Sequence, residues 1–317
     1  MTLPLLLVFA AAIRLVRLAE PQELVFDETY YAKDACLYLG YSPDQCGLTG
    51  TSEQSYVHPP LGKWLIAAGI KLFGNDSFGW RISALVFGVA LVLVVYLLAD
   101  RLFKNRWISL VSGLLVATDF LLFVQSRIAM LDIFLAFFIA LGFLFLVLDR
   151  NAVMAAKDHL ESGAEGPPPV RRIRYRMACG VAFGLALSVK WSGVYAMAAA
   201  ALLGLAWTVG LWRIQRRRAG RAVSGGKGDA QVAPAVPVAR PVGWPVLARD
   251  VVLTGVAFGL VPLLVYLGSY SEWFFHESSK PCAYTVPAAS EERYFSAGFY
   301  GLVEGECLNG VTGVALN

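Results

Sequence analysis

The stretch WRISALVFGVALVLVVYLL, residues 80–98, carries a single charge, Arg81, at its second position. Wound as a helix it rises about 28 Å, close to the hydrocarbon thickness of a bilayer. A core helix of a soluble protein turns a polar face to water every third or fourth residue. After Ser83 this stretch has only Tyr96 to offer. It reads as a membrane span, and the same reading extends outward to 107–124 and 132–148, then to 193–212 and 251–268. Two weaker spans complete the set: 2–19, which contains Arg14 and Arg17, and the short 177–189. The chain is 57% hydrophobic and 16% charged, against about 25% charged in soluble domains. The expected fold is an all-α polytopic membrane protein of about seven transmembrane helices, with residues 1–268 as its core. A signal peptide is the rival reading of 2–19, but the run lacks a basic start and has its arginines at the far end.

Basic residues orient the bundle. The loops 99–106, 149–176 and 213–249 hold most of the lysines and arginines, including VRRIRYR (170–176) and RIQRRRAGR (213–221). The positive-inside rule places these loops in the cytoplasm, and the N-terminus with them. The net charge of +4 is thereby explained as topology and gives no sign of nucleic acid. Cys36, Cys46, Cys282 and Cys307 then fall outside, where disulfides form, and Cys179 falls in a span. Four cysteines allow three pairings; Cys36–Cys46 with Cys282–Cys307 is the simplest. Residues 161–169 and 224–243, rich in Gly, Pro and Ala, read as cytoplasmic linkers.

The outer side holds one long loop, 24–79, and an outer segment, 269–317. Loops of that length are usually functional. Within the first, HPPLGKWLIAAGIKLFG (58–74) predicts a short helix started by Pro60 and ended by Gly74. Leu61, Trp64, Leu65, Ala68 and Leu72 share one stripe, with Lys63 and Lys71 off it, as expected of a helix lying in the membrane interface.

Polar groups gather at the outer ends of the spans. Asp27 and Glu28 follow the first span; Arg81 opens the second; Arg127 and Asp132 lie between the third and fourth; Lys190 lies between the fifth and sixth; His58 and Lys63 flank the interfacial helix. Each has a plain structural explanation. Arg81 and Lys190 could snorkel to the interface, Asp132 could cap a helix, and Tyr30, Tyr31, Tyr38 and Tyr41 could form an aromatic belt. Arg14 is harder to dismiss, because a charge within a span costs about 2.5–3.5 kcal/mol on insertion scales and needs a partner. Together the groups suggest chemistry on a lipid phosphate: a carboxylate as general base, with arginine and lysine to hold phosphate.

Four motifs in this order carry a resemblance: FDETYYAKDA (26–35), HPPLGKWLI (58–66), RIAMLDIFL (127–135) and GLALSVKWSGVY (184–195). The chain resembles the protein O-mannosyltransferases, as a bacterial-type member, over nearly all of residues 10–200. The resemblance implies the membrane-embedded C-type glycosyltransferase fold. It implies transfer of mannose, with inversion, from polyprenyl (dolichyl-type) phosphate mannose to Ser or Thr hydroxyls of secreted proteins, which the secretion translocon could present. It implies Asp27 and Glu28 as the catalytic pair with Asp27 as base. It implies a donor phosphate held by Arg81 and Lys63, with Arg14 supporting the acidic pair, and Arg127, Asp132, His58 and Lys190 completing the site. No cofactor or metal is expected, and no nucleic acid. The family commonly runs to eleven or more spans, so this chain is expected to lack a C-terminal part. Two other readings stand beside this one: a related transferase acting on a lipid or glycan, and a transporter. The transporter reading sits poorly with span centres that are clean of charge apart from Asp119.

Overall fold

The structure is a computed structural model that describes residues 2–48, 57–161, 172–225 and 244–271; among these every regular element is helical. The expected Cys282–Cys307 pairing, nearly all of the outer segment 269–317 and most of the two linkers lie outside the described residues. The helices are α1 (Leu3–Leu15), α2 (Glu28–Tyr38), α3 (Leu61–Phe73), α4 (Ser77–Phe103), α5 (Arg106–Thr118), α6 (Phe120–Gln125), α7 (Leu131–Glu161), α8 (Arg172–Val189), α9 (Gly193–Gly225), α10 (Trp244–Gly255) and α11 (Val261–Ser269). A π-helical turn, Val256–Leu260, joins the last two. It falls just before Pro262, whose ring cannot sit in an unbroken α-helix.

Among the described residues, four stretches are long and apolar enough to cross a membrane: Ser77–Phe103, Leu131–Ala155, Gly193–Gly210 and Ala248–Ser269. Their outward faces carry large exposed apolar side chains such as Val86, Leu202, Val252 and Leu264, which lipid solvates at no cost. Capping sets where the helices begin. The Asp76 carboxylate accepts from the backbone N–H groups of Phe78 and Gly79 to start α4. The Asn105 side chain does the same for α5 through Trp107 and Ile108. These bonds satisfy donors that a helix start leaves open.

Two expected spans take a different form. The run 2–19 is helical only to Leu15, and Arg17 then adopts a left-handed φ of 55°. The run 107–124 is broken: α5 ends at Thr118, and Asp119 caps α6 by accepting from Leu122 N. The break frees the Ala117 carbonyl, and Arg14 fills the need. Its Nη1 donates to Ala117 O at 3.0 Å and to Ala10 O at 3.2 Å, and its Nε donates to Ser126 Oγ at 2.7 Å. Gly88 of α4 makes room for this, since a Cβ there would meet the Ser126 side chain and, at 3.2 Å, Arg14 Nε. Arg14 thus serves the broken helix. None of its hydrogen bonds reaches Asp27 or Glu28, in contrast to the supporting role expected for it.

α7 runs through the middle, packed on α4 and α8. Phe87 of α4 meets Phe134 and Phe137 of α7 edge-on, with ring centroids at 5.0 and 4.9 Å, a preferred aromatic geometry. α8 packs against the π turn and α11 through small residues: a Cβ at Gly180 would fall on the Ala257 carbonyl oxygen. Backbone cannot yield as a flexible side chain does. Gly180→Val is therefore expected to cost about 1–3 kcal/mol of overpacking, read as a lowered Tm in detergent, while Gly210→Ala, which meets open space, leaves Tm unchanged.

On the outer side α3 packs on α4 and α2. Its buried face is Gly62, Lys63, Ile66, Ala67, Gly69 and Ile70. On the expected apolar stripe Ala68 and Leu72 are exposed, while Leu61 and Leu65 pack partly against the core. α3 is thus apolar on a second, buried side that the stripe did not include. The Cys36–Cys46 disulfide ties the end of α2 to the 44–46 turn.

Candidate active site

The chain leaving α1 does not form regular structure, so it needs other bonds to be held. Arg81, at the second turn of α4, provides them. Its Nη1 donates to Leu18 O at 3.2 Å and Pro21 O at 2.8 Å; its Nη2 donates to Glu23 O at 3.0 Å and Glu28 Oε2 at 2.8 Å; its Nε donates to Glu28 Oε1 at 2.8 Å. A guanidinium has five N–H groups, and all are engaged. Glu28 is equally saturated: Oε1 also accepts from Ala129 N at 2.7 Å and Oε2 from Val25 N at 2.9 Å. Both side chains have no solvent exposure. This knot joins α4, the 18–28 segment, the start of α2 and the turn before α7. Arg81 was expected to hold the donor phosphate. Its donors are spent on Glu28 and backbone, so the structure gives it a positioning role.

Lys63 shows a similar departure. Its Nζ lies 2.8 Å from Asp34 Oδ2, and both side chains are almost fully buried. The pair pins α3 to α2 and leaves Lys63 no path to a phosphate. Arg127 lies over the Phe123 ring at 5.3 Å and donates through Nη2 to Val16 O at 2.7 Å and Arg17 O at 3.1 Å. It bounds an open cavity of about 460 Å³ together with Val16, Arg17, Glu20 and Pro21.

The knot fixes where Asp27 goes. With Glu28 turned inward, the preceding residue stays half-buried at the surface as the N-cap of α2. Asp27 Oδ2 accepts from Tyr31 Oη at 3.3 Å, a contact of residues four apart on a helix. Burial, with Asp27 next, raises the Tyr31 pKa above the ordinary phenol value. The phenol therefore stays protonated and donates. The His58 ring lies 5.8 Å from the Tyr31 ring. Lys190 Nζ donates to Asp132 Oδ1 at 3.0 Å, and both side chains remain over a quarter exposed. Asp27, Asp132, Lys63 and Lys190 all act on the charge of His58. The α2 start, the Pro-Pro turn, the first turn of α7 and the α8–α9 turn thus converge on one cluster, with Asp27, His58, Asp132 and Lys190 half-buried around the buried Tyr31. Sequence reasoning missed Tyr31. Its spacing from Asp27 was the available signal, lost among four neighbouring tyrosines.

Burial, then Lys190 and Lys63, push the His58 pKa below the usual imidazole value, against opposing pulls from Asp132 and Asp27. The folded chain resists protonation here, while the unfolded chain takes up a proton near pH 6.5. Between the folded and unfolded pKa values the unfolded state binds more protons, so stability rises with pH. The contribution is complete above about pH 6.5 and is lost as pH falls toward the folded value. Thermal unfolding across pH 5–7.5 is expected to show a shallower loss of Tm on acidification in His58→Gln than in the parent chain.

The family described as dolichyl-phosphate-mannose-protein mannosyltransferase matches residues 5–268. A polyprenol-phosphate-mannose–protein mannosyltransferase of Mycobacterium tuberculosis is 33% identical over 262 residues, which is 80% of this chain and 45% of that protein. The chain thus spans about half the length of the curated relatives it matches. Among solved structures, the Saccharomyces cerevisiae Pmt1–Pmt2 protein O-mannosyltransferase complex bound to the sugar donor is similar with a TM-score of 0.55 and 22% identity, over 86% of this chain and 33% of that one. ArnT from Cupriavidus metallidurans in the apo state gives the same TM-score of 0.55 at 19% identity, over 97% of this chain and 49% of its own. These two show a shared fold. The family match covers more than half of the chain, and by it the chain belongs to the dolichyl-phosphate-mannose-protein mannosyltransferase family.

Proposed function

We propose that this chain carries the catalytic outer-face part of an enzyme that moves mannose from polyprenyl phosphate mannose to Ser or Thr hydroxyls of secreted proteins. The observation that carries the reading is the placement of Asp27: half-buried, hydrogen-bonded to Tyr31, positioned by the Glu28–Arg81 knot, and grouped around His58 with the Lys190–Asp132 pair. Asp27 takes the proton of the acceptor hydroxyl as its oxygen attacks the anomeric carbon of the donor. The bond from that carbon to the phosphate oxygen breaks, and the lipid phosphate leaves with the electron pair. Lys190 is the donor-phosphate ligand of this proposal. Of the phosphate ligands expected from sequence, it combines partial exposure with a place in the Asp27 cluster. Tyr31 orients the carboxylate. A single displacement inverts the anomeric centre. The cluster faces the extracytoplasmic side and the N-terminus the cytoplasm, by the placement of the basic loops; an unfolded substrate emerging from the translocon would reach it there.

The test is transfer of radiolabelled mannose in membranes. Polyprenyl phosphate mannose and a Ser/Thr-rich peptide are supplied to the chain alone and to the chain extended by the C-terminal half of a full-length relative. Label on the peptide is the expected result with the extended form. Label confined to a lipid or glycan fraction would assign a different acceptor, and label nowhere with either form would end the proposal.

A further inference from the structure

Among the described residues, three other than glycine take a left-handed φ: Arg17, Phe26 and Lys104. Lys104 closes α4, and Arg17 follows the end of α1, places where a left-handed residue is common. Phe26 closes no helix. It stands one residue before Asp27, the N-cap of α2, with a φ of 55°. A bulky side chain is strained in that conformation, and glycine is not.

The turn accounts for the backbone here and leaves the ring unexplained. Glu28 N donates to Val25 O at 3.1 Å, and Val25 N donates back to Glu28 Oε2 at 2.9 Å. Thr29 donates to Phe26 O twice, from its N–H at 3.2 Å and from its hydroxyl at 2.7 Å. The one atom of Phe26 that these bonds use is a carbonyl oxygen, which glycine has too. Packing does not call for the ring either. An apolar side chain before a helix cap commonly folds onto the fourth helical residue, here the buried Tyr31. The Phe26 ring instead stays 73% exposed. Anchoring in the membrane interface needs no strained backbone: Leu72 and Phe73 are exposed in ordinary helical conformation at the end of α3.

What sets Phe26 apart is its neighbour. Asp27 is the base of the reaction proposed above, and consecutive Cα atoms lie about 3.8 Å apart. In a single displacement with inversion, the attacking oxygen and the leaving phosphate lie on opposite sides of the anomeric carbon. The base stands on the attacking side, so the residue next to it stands beside the acceptor. In an extended acceptor, the side chain two positions from the reacting Ser or Thr points the same way as the hydroxyl, about 7 Å along the chain. A phenyl ring adjacent to the base is within reach of it.

We propose that Phe26 determines acceptor specificity, its ring receiving an apolar side chain two residues from the Ser or Thr that takes mannose. This rests on Asp27 as the base. The ring finds against the acceptor the burial that the fold does not provide.

The experiment uses the extended form of the transfer assay, in membranes. Two peptides carry one Thr each and differ only in having Leu or Ala two positions to either side of it. The parent is expected to favour the Leu peptide about 10-fold in kcat/KM. Phe26→Gly is expected to treat the two peptides alike, with KM for polyprenyl phosphate mannose unchanged and Tm not lowered. Phe26→Tyr, which keeps a ring, is expected to keep the preference. A parent indifferent to the exchange, or a Phe26→Gly form that still favours Leu, overturns the proposal. A photoreactive benzophenone on the side chain at position 26 gives a readout without transfer. Adducts with the Leu peptide are expected; adducts with lipid alone, or none, overturn the proposal. Absence of transfer by the parent would count against the mannosyl-transfer reading and leave the adducts to decide the acceptor site.

Discussion

Membranes carrying Asp27→Asn are expected to transfer mannose to peptide at least about 100-fold more slowly than the parent, with the Tm unchanged within about 1 °C. The size follows from removing a general base, an effect of about 10²–10⁴-fold. The unchanged Tm follows from where Asp27 sits. It is half-buried, and its one side-chain hydrogen bond is a long contact from Tyr31 at 3.3 Å; an asparagine carbonyl can accept that bond as well. The substitution removes charge and basicity and leaves shape alone. Tyr31→Phe separates the two parts of the idea. It keeps the base and removes its orienting donor, so a smaller loss is expected, carried by kcat rather than KM. Parental rates in Asp27→Asn would remove Asp27 from the chemistry and move the search for a base to Asp132.

Glu28→Gln and Arg81→Leu are expected to do the opposite: to damage the fold first and activity as a consequence. Removing one member of a buried pair leaves the other charged and unpartnered, at about 3–5 kcal/mol. Here the loss is larger in reach than one pair, because Arg81 also holds the carbonyls of Leu18, Pro21 and Glu23. In the Glu28→Gln form the guanidinium keeps those carbonyls. In the Arg81→Leu form they lose their donor and Glu28 is left as a buried carboxylate. Arg81→Leu is therefore expected to show the lower Tm of the two, and the double variant Glu28→Gln/Arg81→Leu to recover part of the difference. Equal Tm in all four forms, read in detergent, would show that the knot contributes nothing to stability. Limited proteolysis offers a second readout, with cleavage expected within residues 16–27 once Arg81 is lost.

How far the sequence could be read depended on the range of the interaction. Spans were legible because lipid imposes its constraint residue by residue: 80–98 lies within α4 and 132–148 within α7. The interruption of 107–124 was hidden, although Asp119 stood out as a charge in an apolar run. Whether such an aspartate bends, caps or binds depends on what faces it, and Arg14 lies on another helix. The site divided the same way. The residue types converging on Asp27 could be gathered from motif order and from the resemblance, but their roles could not. Lys63 and Arg81 are basic residues near a membrane surface, and from sequence alone such residues are candidates for phosphate. Their partners, Asp34 and Glu28, lie in distant segments, and burial turned both cations into fasteners. The α3 stripe showed one apolar side only: a helix between lipid and protein has two, and the buried one, around Lys63 and Ile66, depends on contacts with α2 and α4.

The bonds of Arg14 also constrain how the molecule is built. α1 leaves the ribosome ahead of α5 and α6, with a cation in its last turn, yet two of that cation's acceptors, Ala117 O and Ser126 Oγ, belong to residues made about a hundred positions later. Until they arrive, that guanidinium has one of these acceptors, Ala10 O, on its own helix, and it must snorkel to the interface for its remaining hydration. The final seat of α1 therefore depends on segments made after it. α1 has to wait, shallow in the interface or sheltered by the insertion machinery, until α5 and α6 come alongside. A nascent chain halted before Ser126 would carry a first segment that slips out of the bilayer, and one released just beyond it would carry a segment locked in place.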